Sequence, residues 1–173
     1  MSDGLGWLTD RQRDGGVDRI PLPRRIDGDL WLCGKHAIAH RYASGAWDTV
    51  VSLVERHEIE DQYPDYTAWL DRREVEVIWH PIHDLHAPPL DTMSELVGRV
   101  GERLQAGDRV VMHCAAGKGR AGTTAVCVLV ASGVPLDDAL RTVATARPGA
   151  GPEAGVQRDV VVAFAASSLP GSS

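Results

Sequence analysis

Two apolar runs rich in branched or aromatic residues, Val75–Trp79 and Arg109–His113, enclose a stretch in which Met93, Leu96, Val97, Val100 and Leu104 recur at helical spacing. Thr92 and Glu95 give that helix a capping-box start, and Gly107 gives it a stop. Asp29–Cys33 and Thr49–Val54 are two further strand candidates. After the last strand the chain reads as helical almost to its end: Ala121–Ser132 closed by Gly133, Leu136–Ala146 opened by Pro135, and Gly155–Ser167. Strands that alternate with helices and are followed by a run of helices imply an α/β layered domain, with a central, mostly parallel sheet flanked by helices. With 173 residues, 43% of them hydrophobic, the chain suits one domain, since a globular chain of this size buries roughly 70% of its unfolded surface. The expected organisation is a flexible N-terminal segment over residues 1–20, a single domain over 21–168 and a tail over 169–173.

The chemistry is concentrated in HCAAGKGRAGTT, residues 113–124. One cysteine ends an apolar strand there, ahead of a loop with glycines at 117, 119 and 122 and an arginine at 120. In open α/β sheets ligands bind at the carboxyl ends of strands, and a helix N-terminus presents unpaired N–H groups and partial positive charge. Gly117 and Gly119 let the N–H groups of Ala115, Ala116, Gly117, Lys118 and Gly119 turn inward as an anion nest, and Arg120 can grip two phosphate oxygens with its planar fork. The same field favours the thiolate of Cys114 and so marks it as a nucleophile. A nucleotide-binding P-loop fails on spacing, because Gly119 stands where that motif needs Ser or Thr after Lys118. A cysteine ending a buried strand is otherwise a small core residue.

HCAAGKGRAGT resembles the Cys-x5-Arg signature of cysteine-dependent protein phosphatases, in the HCxxGxGRxG form of the tyrosine and dual-specificity types. DGDLWLCGKH and WDTVVSLVERHEI are similar to the opening strands of compact dual-specificity domains, including relatives of the kinase-associated phosphatase. The resemblance implies a three-layer dual-specificity-phosphatase-like domain, a phosphocysteine mechanism without metal or other cofactor, and a general acid on a loop upstream of the signature. PIHD, within HPIHDLHAPPLD, resembles that acid loop and points to Asp84; the rival Asp91 directly precedes the capping-box pattern and is accounted for as helix-start charge. The resemblance also gives His113 a part in holding the loop, although a strand-end histidine is often structural. It places Gln157 where related enzymes orient the hydrolytic water, against the alternative of a solvated helix residue. The implied substrate is a phosphorylated protein or peptide. Phosphoinositide-cleaving relatives carry basic residues in this loop, as at Lys118, but their usual first lysine is Ala115 here. A phosphoinositide is therefore the alternative substrate.

Other classes are set against this reading. The net charge of −6 opposes a nucleic-acid partner, and no apolar stretch approaches the ~20 residues of a membrane span. Three cysteines, Cys33, Cys114 and Cys127, give neither a disulfide framework nor a CxxC pair, and with an N-terminus unlike a signal peptide they suggest the cytoplasm. His80, His83 and His86 are separated by proline-broken chain that cannot align them as metal ligands on a helix face. A phosphoresidue-binding module without turnover would be expected to have lost Cys114, Arg120 or Asp84, and a thiol redox or sulfur-transfer protein would not need the acid loop.

Overall fold

The last strand in the chain lies at the centre of the sheet. In the computed structural model, which describes residues 11–169, five strands stand in the order β1-β2-β5-β3-β4: β1 (Val17–Ile20), β2 (Asp29–Gly34), β3 (Thr49–Ser52), β4 (Glu76–Trp79) and β5 (Arg109–Cys114). Only the β1–β2 pair is antiparallel; β5 runs parallel to β2 on one side and to β3 on the other. Val50, Val51, Val110, Val111 and Met112 are all fully buried. That is the pattern of parallel strands covered on both faces, which need continuous apolar runs rather than alternation. The chain leaves β2, skips the central place and fills it only with β5. The strand order therefore reverses beside β5, and its carboxyl end opens at the position where such sheets hold their ligands.

Among the described residues six helices with defined bounds flank the sheet, α1 (Lys35–Arg41), α2 (Pro64–Arg72), α3 (Leu90–Gln105), α4 (Gly119–Ala131), α5 (Leu136–Ala146) and α6 (Gly155–Ser167), and residues 11–14 are helical as well. The expected α/β architecture is present, with three departures. Residues 17–20, expected within a flexible end, form the edge strand β1, and Val17 and Ile20 are buried against the core. VDRI offers too little apolar length to announce a strand, and β2 supplies the pairing that stabilises it. The helix expected to start at a Thr92–Glu95 capping box begins instead at Leu90, directly after Pro89, with no side-chain cap. There the fixed extended backbone of the prolines sets the entry, and Asp91 Oδ1 accepts the N–H of Thr92. The short helices α1 and α2 have no counterpart in the sequence pattern. α2 starts with Pro64 at its first turn, ends at Arg73 with φ of 52°, and buries Tyr66, Thr67, Trp69 and Leu70.

Candidate active site

β5 ends at Cys114, and α4 begins five residues later at Gly119. The loop between them is pressed against the end of β2, where Ala115 O accepts the N–H of Lys35 at 2.9 Å. Gly117 has φ of 71°, and a Cβ there would lie 2.4 Å from the backbone of Cys33, so both its dihedral and its surroundings require glycine. Gly119 differs from its expected part in the turn. It is the first residue of α4 and has no positive φ; a Cβ there would meet the carboxylate of Glu153 at 2.4 Å. Cys114 is only 3% exposed at the floor of this loop.

Arg120, buried to 2% exposure, closes the loop. Its Nη1 donates to Glu58 Oε2 at 2.8 Å and to Ile82 O at 2.8 Å, and its Nη2 donates to Glu58 Oε1 at 2.9 Å. Asp84 Oδ1 lies 3.4 Å from Nη2. A guanidinium has five N–H donors. Three are held by Glu58 and Ile82, so the Nε edge and the second Nη2–H keep the two parallel donors that suit a tetrahedral oxyanion. Burial resists the charge on Glu58, but the Arg120 hydrogen bonds and the N–H of Glu55 outweigh it and hold its carboxyl below the usual range. Ile82 N in turn donates to Leu53 O at 3.0 Å, so the Asp84 segment is anchored both to the end of β3 and to Arg120. Asp84 itself is exposed, with Oδ1 accepting the N–H of Leu85, whose φ of 62° turns the chain at that point.

His113 points away from the loop mouth into the core. Its Nδ1 lies 3.3 Å from Cys114 O and its Nε2 2.7 Å from the Tyr66 hydroxyl. A carbonyl only accepts, so Nδ1 carries the proton and Nε2 accepts from Tyr66, which is one neutral tautomer with both nitrogens satisfied. Burial pushes the His113 pKa down to about 4, against the pull of the Cys114 carbonyl bond. Because this folded value lies below the ordinary histidine value of 6.5, the unfolded chain takes up the proton first as the pH falls. The neutral histidine's contribution is therefore complete above about pH 6.5 and is lost toward pH 4, by about 3 kcal/mol. Urea melts across that window should show a shallower fall for His113→Gln than for the unaltered chain.

Arg147 braces the loop from behind. Its Nε donates to Gly117 O at 2.9 Å, its Nη2 to Ala116 O at 2.8 Å and its Nη1 to Asp18 Oδ2 at 2.7 Å. Holding the carbonyls of Ala116 and Gly117 outward is what leaves the opposite edges of these peptides facing the loop interior. Arg147→Met would strand both carbonyls and leave Asp18 with Arg11 alone, so it should cost about 2–4 kcal/mol of stability, read as the loss of unfolding free energy in denaturant.

Among the residues that sequence reasoning singled out, Cys114, Arg120, Asp84 and the 115–119 loop come together at one mouth. Gln157 is buried beside it, with Oε1 accepting the Glu153 N–H at 2.7 Å and Nε2 donating to His86 O at 3.3 Å. Lys118 extends from the rim and is exposed. Glu58, Tyr66 and Arg147 were not legible as site residues. The only hint at Glu58 is that a buried arginine needs a carboxylate, and 24 acidic residues were available. Among the described residues, no three His, Cys, Asp or Glu side chains are grouped to hold a metal ion.

The sequence matches the profile of the Swiss Army Knife protein, DSP-PTPase phosphatase domain (PTP-SAK), over residues 36–154. Among solved structures, the active form of Tk-PTP is similar at 30% identity, with a TM-score of 0.68 over 86% of this chain and 97% of that one. Kinase-associated phosphatase (KAP) is similar at 18% identity, with a TM-score of 0.74 over 87% and 94% of the two chains. PTPMT1, solved in complex with PI(5)P, is similar at 16% identity, with a TM-score of 0.64 over 84% and 95%. The last two likenesses concern the fold. A search of curated proteins gives no significant match.

Proposed function

The chain belongs to the DSP-PTPase phosphatase domain family and is a cysteine-dependent phosphatase of the dual-specificity type, and from that premise we propose that Cys114 is its nucleophile, Arg120 its phosphate-binding cation and Asp84 its general acid and base. The observation that carries this assignment is the pairing of Arg120 with Glu58, which leaves one two-donor edge of the guanidinium beside both the loop and the Asp84 carboxylate. The Cys114 thiolate attacks phosphorus in line, the S–P bond forms, and the ester oxygen leaves with a proton from Asp84. The N–H groups of residues 115–119 and Arg120 stabilise the equatorial oxygens as charge develops. Asp84, now a carboxylate, takes a proton from water as that water attacks phosphorus; the S–P bond breaks, phosphate departs and the thiolate is restored. His113 positions Cys114 through its carbonyl. Gln157 supports the approach of water by tying the His86 segment to the start of α6.

The proposed substrate is a phosphorylated protein or peptide, and the proposed domain runs from at least Val17, the start of β1, to residue 168. Unpaired Cys33, Cys114 and Cys127 support a reducing, cytoplasmic setting; no described helix is long and apolar enough to cross a membrane. Release of para-nitrophenol from para-nitrophenyl phosphate in the presence of a chelator tests the reading. Turnover that disappears with the chelator, or that is absent altogether, would overturn it.

The residue after the signature arginine supplies a kinetic prediction. In most relatives a Ser or Thr there donates to the thiolate, but here it is the fully buried Ala121. Thr124 donates instead to Arg120 O at 2.9 Å, and the buried Thr123 hydroxyl has no hydrogen-bond partner among the described residues. Without a donor the thiolate is a poorer leaving group, and breakdown of phosphocysteine should be the slower step. An aryl phosphate should give a burst followed by slower turnover, and Ala121→Ser should raise the steady rate roughly tenfold, the effect of one hydrogen bond. Stopped-flow absorbance reads both; a linear trace with no gain in the serine variant would put the slow step elsewhere.

A further inference from the structure

Glu153 stands against the phosphate loop, yet the steps assigned to Cys114, Arg120 and Asp84 leave it without a part. It is exposed, and its carboxylate forms no hydrogen bond or ion pair among the described residues. A Cβ built on Gly119 would overlap Glu153 Oε2 and stand 3.4 Å from Gln157 Nε2. The missing side chain of Gly119 is therefore the room in which this carboxylate and this amide meet, at the first residue of α4 and next to Arg120. Two polar atoms this close to one point are no further apart than a single bridging water spans. Holding a carboxylate beside a phosphate site is unfavourable, since like charges repel. One kept there without a cation calls for a task that an anion performs.

The task follows from how Gln157 is used. A side-chain amide has two lone pairs on its oxygen and two N–H groups on its nitrogen. Gln157 Oε1 accepts the N–H of Glu153 at 2.7 Å and that of Ala154 at 3.4 Å, which fills both lone pairs at the start of α6. Its Nε2 gives one N–H to His86 O at 3.3 Å and keeps the other. Gln157 can therefore donate to a water but cannot accept from one. A water that attacks phosphorus needs acceptors for both of its O–H groups, so that a lone pair faces phosphorus. Asp84 supplies one acceptor. We propose that the Glu153 carboxylate supplies the second and is the positioning residue for the hydrolytic water. His86 lies two residues from Asp84, so the Gln157–His86 bond ties the acid segment to the place where Glu153 meets Gly119. In the second step the water accepts from Gln157 Nε2, donates one O–H to Glu153 and gives its other proton to Asp84. The new O–P bond forms as the S–P bond breaks, and sulfur leaves with the bonding pair as thiolate. Glu153 stays a carboxylate throughout. The inference rests on the phosphatase reading and adds a residue to its second step alone, because no water reacts in the first.

Rapid-mixing kinetics of the full chain with para-nitrophenyl phosphate would test this in Glu153→Ala and Glu153→Gln, with the phosphocysteine fraction read by mass spectrometry after acid quenching. Glu153→Ala should slow the breakdown of phosphocysteine about 10–100-fold, the effect of losing a hydrogen bond to a charged acceptor. The intermediate should then accumulate on most of the enzyme. The rate constant of the burst and kcat/KM should stay within about twofold of the unaltered chain, because both report steps that precede the attack of water. Glu153→Gln keeps an oxygen acceptor without the charge and should fall between the two. That split distinguishes water positioning from support of the fold, since a distorted loop would lose the first step and kcat/KM as well. An unaltered breakdown rate in Glu153→Ala would overturn the proposal, as would a fall in kcat/KM equal to the fall in kcat. A loss in Glu153→Gln as large as that in Glu153→Ala would also overturn it, because Glu153 would then be taking the proton itself. If the unaltered chain releases no para-nitrophenol, the phosphatase reading fails and the proposal with it; if the chain turns over and Glu153→Ala matches it, the proposal alone fails.

Discussion

Cys114→Ser is expected to reduce turnover by about 10⁴–10⁶-fold, the scale of losing a covalent nucleophile, because a hydroxyl is not ionised near neutral pH. Binding should survive. The N–H groups of the loop, the Arg120 edge left open by Glu58, and the brace from Arg147 involve no atom of the cysteine side chain. A phosphate analogue such as tungstate or vanadate should therefore still bind the serine variant, as measured by calorimetry or by protection against thermal unfolding. Retention of more than about one part in a hundred of the activity would remove Cys114 from the role, since general-base assistance alone does not replace a thiolate on this scale. Loss of both turnover and anion binding would mean that the thiolate is part of what shapes the loop.

What could be read from the sequence follows from how far apart the cooperating residues lie. Cys114, the glycines and Arg120 occupy one contiguous loop, so their spacing alone carries the geometry, and the apolar run before them marks the strand that delivers it. Asp84 was legible through the resemblance of PIHD to the family's acid loop, in a proline-bounded segment directly after β4. The supports of these groups were hidden. Glu58 is 62 residues from Arg120, Tyr66 is 47 from His113, and Arg147 is 30 from Gly117. Nothing local distinguishes any of the three from an ordinary surface acid, a core aromatic or an exposed arginine; the β5–β3 pairing brings Glu58 and Tyr66 to their partners, and the packing of α5 on α4 and β1 brings Arg147 to the loop. The same holds for β1, whose VDRI has no strand signal until β2 offers its edge. Helix ends were misread for a different reason. Thr92 and Glu95 have the residue types of a capping box, but the preceding prolines start the helix before they can act as one.

Asp84→Asn is expected to lower kcat by about 10²–10⁴-fold on alkyl phosphates or other esters with poor leaving groups, where the departing oxygen needs a proton. On para-nitrophenyl phosphate the loss should be smaller, because that leaving group is stable as an anion. The contrast follows from position. The Asp84 carboxylate is 67% exposed and 3.4 Å from Arg120 Nη2, which under the proposed mechanism puts it within reach of the leaving oxygen. The turn at Leu85 and the bond from His86 Nδ1 to Asp84 O at 2.8 Å fix its backbone, while the side chain keeps an oxygen free for the substrate. Asp91 lies in the first turn of α3, where its Oδ1 accepts the N–H of Thr92 at 2.8 Å and meets the positive end of the helix. Asp91→Asn should leave kcat unchanged on both kinds of ester and cost about 0.3–1 kcal/mol of stability. The decisive comparison is the ratio of rates on an alkyl and an aryl phosphate. It should fall sharply in the Asp84 variant and stay constant in the Asp91 variant; the opposite ranking would transfer the acid to Asp91, and an unchanged ratio in both would mean that the leaving oxygen is protonated by neither.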